Sequence, residues 1–366
     1  MAHEFPIKEV ALQAGLSLAT VDRVVHQRPG VRASTRRRVE QAQAELRRQQ
    51  QQVGLRGRRL LIDLVMEAPT RFTRIVRDAL GVAMQRSQPA VFRARDHLAE
   101  TLPVPELVAV LDAIARRGSH GVLLKAPDVP AVAEAVDRLQ ARGIPVVTLA
   151  TDVKTAHLHP YVGLDNRCAG QTAAYLMAQW LGPQAPGQAV DVLVSSSGQR
   201  FQGEDERIHA FVQAMAQHLP ACTVHVLDTG LGLYAPTVAA VGRLLREQPE
   251  VAAVYSVGGA NAAILAAFDQ AQRACHPFIG HDLDDDNLAL LRAGRLSAVL
   301  HHDLQHDLQR ACWHFMQAQG AARGVPQEAR EEAREEARKG AQAVRPSNVE
   351  VITPFNLPAD VARPGI

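Results

Sequence analysis

The chain has 366 residues, of which 47% are hydrophobic and 4% aromatic, and its formal net charge is only +2. That length admits two or three domains with sizeable cores. Cys168, Cys222, Cys275 and Cys312 lie far apart and form no CxxC pair, so neither a zinc site nor a redox dithiol is indicated, and reduced, mostly buried thiols are expected. There is no apolar leader and no run of eighteen apolar residues, so a cytoplasmic protein with no membrane partner is expected.

The distribution of charge says more than its total. Residues 1–58 hold Lys8 and ten arginines against five acidic residues, a net +6, while the remainder is −4. A small basic head on a mildly acidic body suits a head that meets phosphates.

Within that head, Ile7, Val10, Ala11 and Ala14 have the spacing of one helical face. Gly15 can take the left-handed backbone of a tight turn, and Leu16 can plug the corner. Ser17 is a good N-cap, and Val21, Val24 and Val25 give a second apolar face. Two short helices joined this way can set the second in a major groove. A third helical pattern follows from Ser34, with Val39, Ala42 and Leu46 facing the core.

The stretches IKEVALQAGLSLATVDRVV and VRASTRRRVEQAQAEL resemble the head of the lactose-repressor family of bacterial transcription regulators. The resemblance implies an all-α helix-turn-helix domain over residues 1–48 that reads double-stranded operator DNA. By that resemblance Leu18, Ala19 and Arg23 hold the base-reading positions. Their chemistry fits, since Arg can pair bidentately with guanine and Leu or Ala can touch a thymine methyl. Ser17 and Thr20 suit phosphate contacts. One of Arg36, Arg37 and Arg38, together with Arg32, is expected on phosphate, because successive helical residues point about 100° apart. The family doubles its weak single head by forming a homodimer on a near-palindrome.

Residues 49–58 are expected to be a linker or hinge. Relatives use a hinge helix whose Leu enters the minor groove. Here the segment is glutamine-rich and interrupted by Gly54, so it makes a poor isolated helix. Leu55 stands as the candidate wedge, with a basic linker as the alternative.

From Arg59 onward, short apolar runs alternate with helical stretches. Strands are expected at 60–66, 90–95, 121–126 and 144–150, with helices near 72–86, 105–117 and 129–141. A second series begins at 190–195 and continues at 223–227, 251–257 and 277–280, and the last strand falls at 349–353. Continuously apolar strands between helices imply parallel sheets covered on both faces. GIPVVTLATD, YVGLDNRCAG, HPFIGHDLDDDNLALLRAGRLSAVLHHD and VEVITPFNLP are similar to the periplasmic-binding-protein-like effector domain of the same family. The expected fold is therefore the helical head plus an α/β body, residues 59–366, made of two Rossmann-like lobes. The chain should cross between lobes near Gly163, Leu300 and 343–348, giving lobe one 59–162 and 302–322 and lobe two 163–300 and 347–366.

Ligands of open α/β sheets sit outside the carboxyl ends of the strands. Residues following strands are therefore the candidates: Glu67, Arg71, Phe72, Asp152, Phe201, Asn261 and His302. The resemblance adds Arg207, four residues before Phe211, and Asp282 as ligand-binding positions. Carboxylates and an Arg facing one another suit a sugar or polyol, while Arg71, Arg200 and Arg207 together suit a sugar acid or another anion. With few aromatics, ring stacking must rest on Phe72, Phe201, Tyr161 or Tyr234. Relatives often have Asn-Asp where Gly258-Gly259 stands. Residues 328–338 repeat charges every four positions without an apolar seam and are expected to be a surface insertion, so a dimer rather than a tetramer is anticipated.

The function these features imply is a ligand-controlled DNA-binding regulator, most simply a repressor, with allostery between cleft and head. The alternatives are an enzyme or a solute-binding protein on a Rossmann-like scaffold. No Gly-x-Gly-x-x-Gly follows the first strand, no P-loop occurs and SSSG is not a nucleophile elbow. No cofactor, metal site or catalytic residue is therefore expected.

Overall fold

The computed structural model describes residues 5–26, 28–55, 59–88, 90–183, 190–320, 325, 327, 331 and 346–358, with the backbone alone over 47–55. The head is α1 (Ile7–Ala14), α2 (Leu18–Val25) and α3 (Ala33–Leu55). Helix α1 stops at Gly15, where φ is 60° and the N–H bonds back to Ala11 and Leu12, a conformation that glycine adopts at little cost. Ser17 then caps α2, its Oγ accepting from the Thr20 amide at 3.2 Å. Val10, Ala11, Ala14, Val21, Val39 and Ala42 close over one another as the core of the head.

The third helix is longer than its apolar pattern suggests. It runs for 23 residues to Leu55, through most of the segment expected as a linker. Arg and Gln are good helix formers, and Gly54 falls in the last turn, where interruption costs least. The side chain of Leu55 lies outside the described residues, as does most of the charged repeat, of which only Glu331 is described.

The body begins with β1 (Arg59–Glu67), α4 (Thr70–Arg86), β2 (Val91–Ala99), α5 (Val104–Arg117), β3 (Gly121–Lys125), α6 (Pro130–Ala141), β4 (Val146–Leu149) and β5 (Tyr161–Val162). It continues with α7 (Asn166–Leu181), β6 (Asp191–Ser196), α8 (Gln202–His218), β7 (Val224–Asp228), α9 (Tyr234–Glu247), β8 (Val251–Ser256), α10 (Asn261–Gln270), β9 (Phe278–His281), α11 (Asp285–Arg292), β10 (Ala298–His301), α12 (Leu304–Ala318) and β11 (Glu350–Ile352). The strands form two sheets, β2-β1-β3-β4-β5 and β11-β10-β9-β8-β6-β7. All pairings are parallel except β10 with β11. Each sheet thus repeats one doubly wound order, with its switch point between the first and third strands, where a crevice opens at the carboxyl ends.

Both faces of each sheet are covered. Leu64 and Leu123 belong to one core of the first sheet, and Val65 and Val122 to the other. Val194 and Tyr255 face one side of the second sheet, and Leu193 and Val254 the other. Helix α12 follows β10 of the second sheet but packs into the first core through Leu308, Cys312 and Phe315. The approach is so close that a Cβ on Gly121 would lie 2.2 Å from the Phe315 ring. Among the cysteines only Cys312 is fully buried and Cys168 is exposed, so the expectation of mostly buried thiols holds for one of the four.

Three crossing segments are tied together. The Ser347 amide donates to Gly163 O at 2.8 Å, and the Asp165 amide donates to Ser347 O at 3.3 Å. Asp307, fully buried at the start of α12, accepts from the Ser347 hydroxyl and pairs with His302 Nδ1 at 2.5 Å. No helix of the described residues is long and apolar enough to cross a membrane.

Candidate functional site

Two surfaces carry chemistry. In the head, α2 presents its first turn outward, with Ser17, Leu18, Ala19 and Arg23 exposed and Leu18 54% accessible. Thr20 sits behind them, its hydroxyl 2.8 Å from that of Ser17. Asp22 does not hold Arg23, because it pairs with His26 at 3.0 Å and Arg28 at 3.2 Å. Arg23 is therefore left exposed on the outer face of the head. Arg32 is exposed, and its carbonyl accepts from Thr35 and Arg36 at the start of α3. Of the three following arginines, Arg38 comes within 3.1 Å of where a Gly15 Cβ would lie. It packs over the turn between α1 and α2.

The second surface is the cleft where the carboxyl ends of the two sheets meet, with about 820 Å³ of empty space including its open mouth. Six of the nine expected cleft residues line it: Glu67, Arg71, Phe72, Phe201, Arg207 and Asp282. Arg207 is set by the close packing of α7 on α8, where a Cβ on Gly170 would lie 2.2 Å from its carbonyl oxygen. The Arg207 side chain is buried, and its Nε donates to Asn166 Oδ1 at 2.7 Å. Its two terminal nitrogens and the Asp282 carboxylate take no hydrogen-bond or ion-pair partner among the described residues. They are available to a ligand.

Three expected residues are not on the wall. The chain turns at Ala150 with φ 61°, and Asp152 swings back to accept from Thr148 and the Val153 amide and to meet His159 Nε2 at 2.8 Å. Burial works against its ionisation, but these bonds win and hold its carboxyl below the usual range. Asn261 opens α10 and is buried against Asn287 at 2.7 Å, so Asn287, not Asn261, reaches the cleft. His302 is spent on Asp307 beneath the crossing segments. Of the aromatic candidates, Tyr161 is buried and donates to Leu164 O at 2.9 Å, and Tyr234 is 60% exposed elsewhere.

The sequence reasoning missed Lys125, Glu204, His281 and Asp284, which all line the cleft. Lys125 ends β3 and was open to the same strand-end rule. Its Nζ donates to Glu67 O at 3.2 Å and sits 3.5 Å from the centre of the Phe201 ring. Burial pulls it down to about 8, against the opposing pull of Glu204 and Glu67. Burial likewise raises Glu204, whose Oε2 accepts from the amide and hydroxyl of Ser197, each at 2.9 Å. His281 is pushed well down by burial, with Arg207 and His302 adding to it. Its Nε2 meets the Tyr255 hydroxyl at 2.8 Å, while its buried Nδ1 has no partner.

Several contacts cross the cleft from one lobe to the other. Gln199 donates to Glu67 Oε1 at 2.8 Å. Arg71, on α4, donates to Gly232 O at 3.2 Å and lies 3.4 Å from Asp284 Oδ2, and Arg74 pairs with Asp285. Gly259 makes this possible, since a Cβ there would lie 2.2 Å from Arg71 Nη2. The space beside Gly259 is thus filled by an arginine from the opposite lobe.

Comparison with known proteins matches these two surfaces to two family profiles. Residues 98–320 match the periplasmic binding protein domain, and residues 6–47 match the bacterial regulatory proteins of the lacI family. The body belongs to the periplasmic binding protein domain family, and the head to the lacI family of bacterial regulatory proteins. The two matches place a lacI-type head and a periplasmic-binding-protein-like body in one chain. The ribose import binding protein RbsB of Salmonella typhimurium is 27% identical over 202 residues, 54% of this chain. The chain spans 64% of that relative's length. Among solved structures, the glucose-galactose binding protein GanP from Geobacillus stearothermophilus superposes with a TM-score of 0.65 at 19% identity, covering 82% of this chain and 99% of its own. A chain from Bacteroides fragilis assigned to the LacI transcriptional regulators gives 0.65 at 18% identity, covering 82% and 98%. Both show the shared fold of the body.

Proposed function

We propose that this lacI-family chain is a repressor that binds operator DNA as a homodimer in the cytoplasm and is controlled by a polyhydroxylated small molecule held between its lobes. In the head, Leu18, Ala19 and Arg23 read base edges. Ser17, Thr20 and Arg32 contact phosphate, and Leu55 takes the minor-groove position. Two heads at +6 each would engage roughly 6–10 phosphates and give a steep salt dependence. In the body, Arg207 and Asp282 are the principal ligand contacts, with Glu67, Phe72 and Lys125 beside them.

The observation that carries the reading is the pairing of free groups in the cleft. The terminal nitrogens of the Arg207 guanidinium and the Asp282 carboxylate, without hydrogen-bond partners among the described residues, face the same space. Hydroxyl groups satisfy both at once, donating to Asp282 and accepting from Arg207. The family's sugar-binding relatives, RbsB and GanP among them by name, support the same class. Sugar acids remain within it, since Lys125 and Arg207 supply two cations.

Ligand control requires that the ligand bind one arrangement of the lobes better than another. The test is a mobility shift with the chain's own upstream region, with and without sugars, polyols and sugar acids. Arg207→Ala should abolish the ligand's effect and leave operator binding intact. No shift at low salt with any nearby palindrome would overturn the operator reading, and loss of both activities in Arg207→Ala would make that residue structural.

A further inference from the structure

We propose that Lys125 is a specificity-determining residue of the cleft: its ammonium covers the one available face of Phe201, so this site holds its ligand there by hydrogen bonds to oxygen and not by ring stacking. The proposal rests on the reading of the cleft as a site for a polyhydroxylated ligand.

Phe201 precedes α8 and is 4% exposed. Only the ring face turned to the cleft could meet a ligand. Lys125 Nζ stands 3.5 Å from the centre of that ring, the distance at which the carbons of a stacked sugar would have to lie. Ammonium and sugar ring cannot share that position. The placement is held from three sides. The ring quadrupole attracts the cation, the Glu67 carbonyl accepts one of its protons at 3.2 Å, and β3 fixes its stem between β1 and β4. One proton of Nζ goes to Glu67 O, which leaves donors for a ligand on the cleft side. Phe72 lies farther off, 5.9 Å from the same ammonium.

The ligand class follows from this geometry. A compound that offers a hydroxyl or carboxylate oxygen above Phe201 gains a charge-assisted bond. A pyranose that must lay its C–H face on Phe201 is refused. The groups around Nζ are Glu67 from β1, Glu204 and Arg207 from α8, and Asp282 after β9, with Arg71, His281 and Asp284 farther along the wall. His281 is held neutral and Asp284, at about 6, is already ionised above pH 7. Glu204 is raised by burial, and its coulombic pull opposes the loss of the lysine's proton. Lys125 is therefore the group whose charge fades as pH climbs through about 8.

The test is isothermal titration of the full chain with D-mannitol, D-gluconate, D-ribose and D-galactose at pH 7 and pH 9. For the probes that bind, Lys125→Met should weaken affinity roughly ten- to a hundredfold at pH 7, the worth of a hydrogen bond to a charged group. The wild type should lose much of that factor between pH 7 and pH 9, and Lys125→Arg, charged throughout, should not. Lys125→Ala uncovers the ring and should raise affinity for D-galactose while lowering it for D-mannitol. Full affinity in Lys125→Met, or equal pH profiles in wild type and Lys125→Arg, overturns the assignment of Lys125 and leaves the cleft reading standing. If Lys125→Met fails to fold, the two pH profiles alone decide. Binding of no probe by the wild type counts against the cleft reading itself and removes this proposal with it.

Discussion

Arg71 offers the sharpest prediction, because it is the arm by which one lobe reaches the other. Arg71→Ala removes a hydrogen bond to Gly232 O and an ion pair with Asp284, whose partners are 26% and 5% exposed. Both contacts are long, at 3.2 and 3.4 Å, so each is worth less than the usual charge-assisted bond. Together they should favour the closed lobes by about 2 kcal/mol, roughly a thirtyfold change in the open-to-closed ratio. Two backbone amides report closure directly. Asp128 N donates to Arg200 O at 2.8 Å, and Gly203 N donates to Thr151 Oγ1 at 3.1 Å, both across the cleft. Hydrogen exchange at these amides should accelerate by about thirtyfold in Arg71→Ala, whereas exchange at Leu64 in the β1 core should not. Asp284→Asn, which removes only the ion pair, should produce a smaller acceleration, and the double variant little more than Arg71→Ala, because that substitution already removes both contacts. Unchanged protection at Asp128 and Gly203 in Arg71→Ala would refute the clasp, and Arg71 would then be a ligand contact only.

Two further predictions concern the head and the acid limit of the body. Arg23→Ala should weaken operator binding by about 1–3 kcal/mol and relax the preference at one base pair, whereas Arg32→Ala should weaken all sequences alike and reduce the salt slope by about one. Binding titrations on operator and scrambled duplexes at several salt concentrations separate the two. Asp63 is fully buried, and although burial opposes its charge, bonds from Arg95, Ser119 and His97 hold its pKa below the usual value. A lowered carboxylate stabilises the fold above its unfolded pKa of about 4 and loses that contribution as pH falls through the folded value. Thermal melts should drop steeply below about pH 4, and Asp63→Asn should melt lower at neutral pH with a flatter acid limb. Parallel curves for the two chains would contradict this.

The alternation of strands and helices was written plainly in the sequence, because parallel strands buried on both faces, such as Val251–Ser256, read as continuous apolar runs. β5, only two residues long, leaves no such run. The strand-end rule located Glu67 and Arg71 but misled at Asp152, where a left-handed Ala150 turns the chain back on itself. Asn261 and His302 were the right kind of residue beside the right strands. Their partners, Asn287 and Asp307, lie 26 and 5 positions away, and apolar periodicity says nothing of which polar side chains will pair. Lys125 was legible by the same rule that found Glu67. Its position over Phe201 depends on a residue 76 places later in the chain and could come only from the fold.

The unbroken course of α3 bears on how any movement of the body is felt at DNA. Its 23 residues make a rod of about 34 Å, with the core of the head clamped at one end through Val39 and Ala42. A tilt of ten degrees imposed at Leu55 would carry the opposite end sideways by about 6 Å, more than the rise of one base pair. With such a lever, a small adjustment at the base suffices to displace the exposed face of α2 by more than one base-pair step.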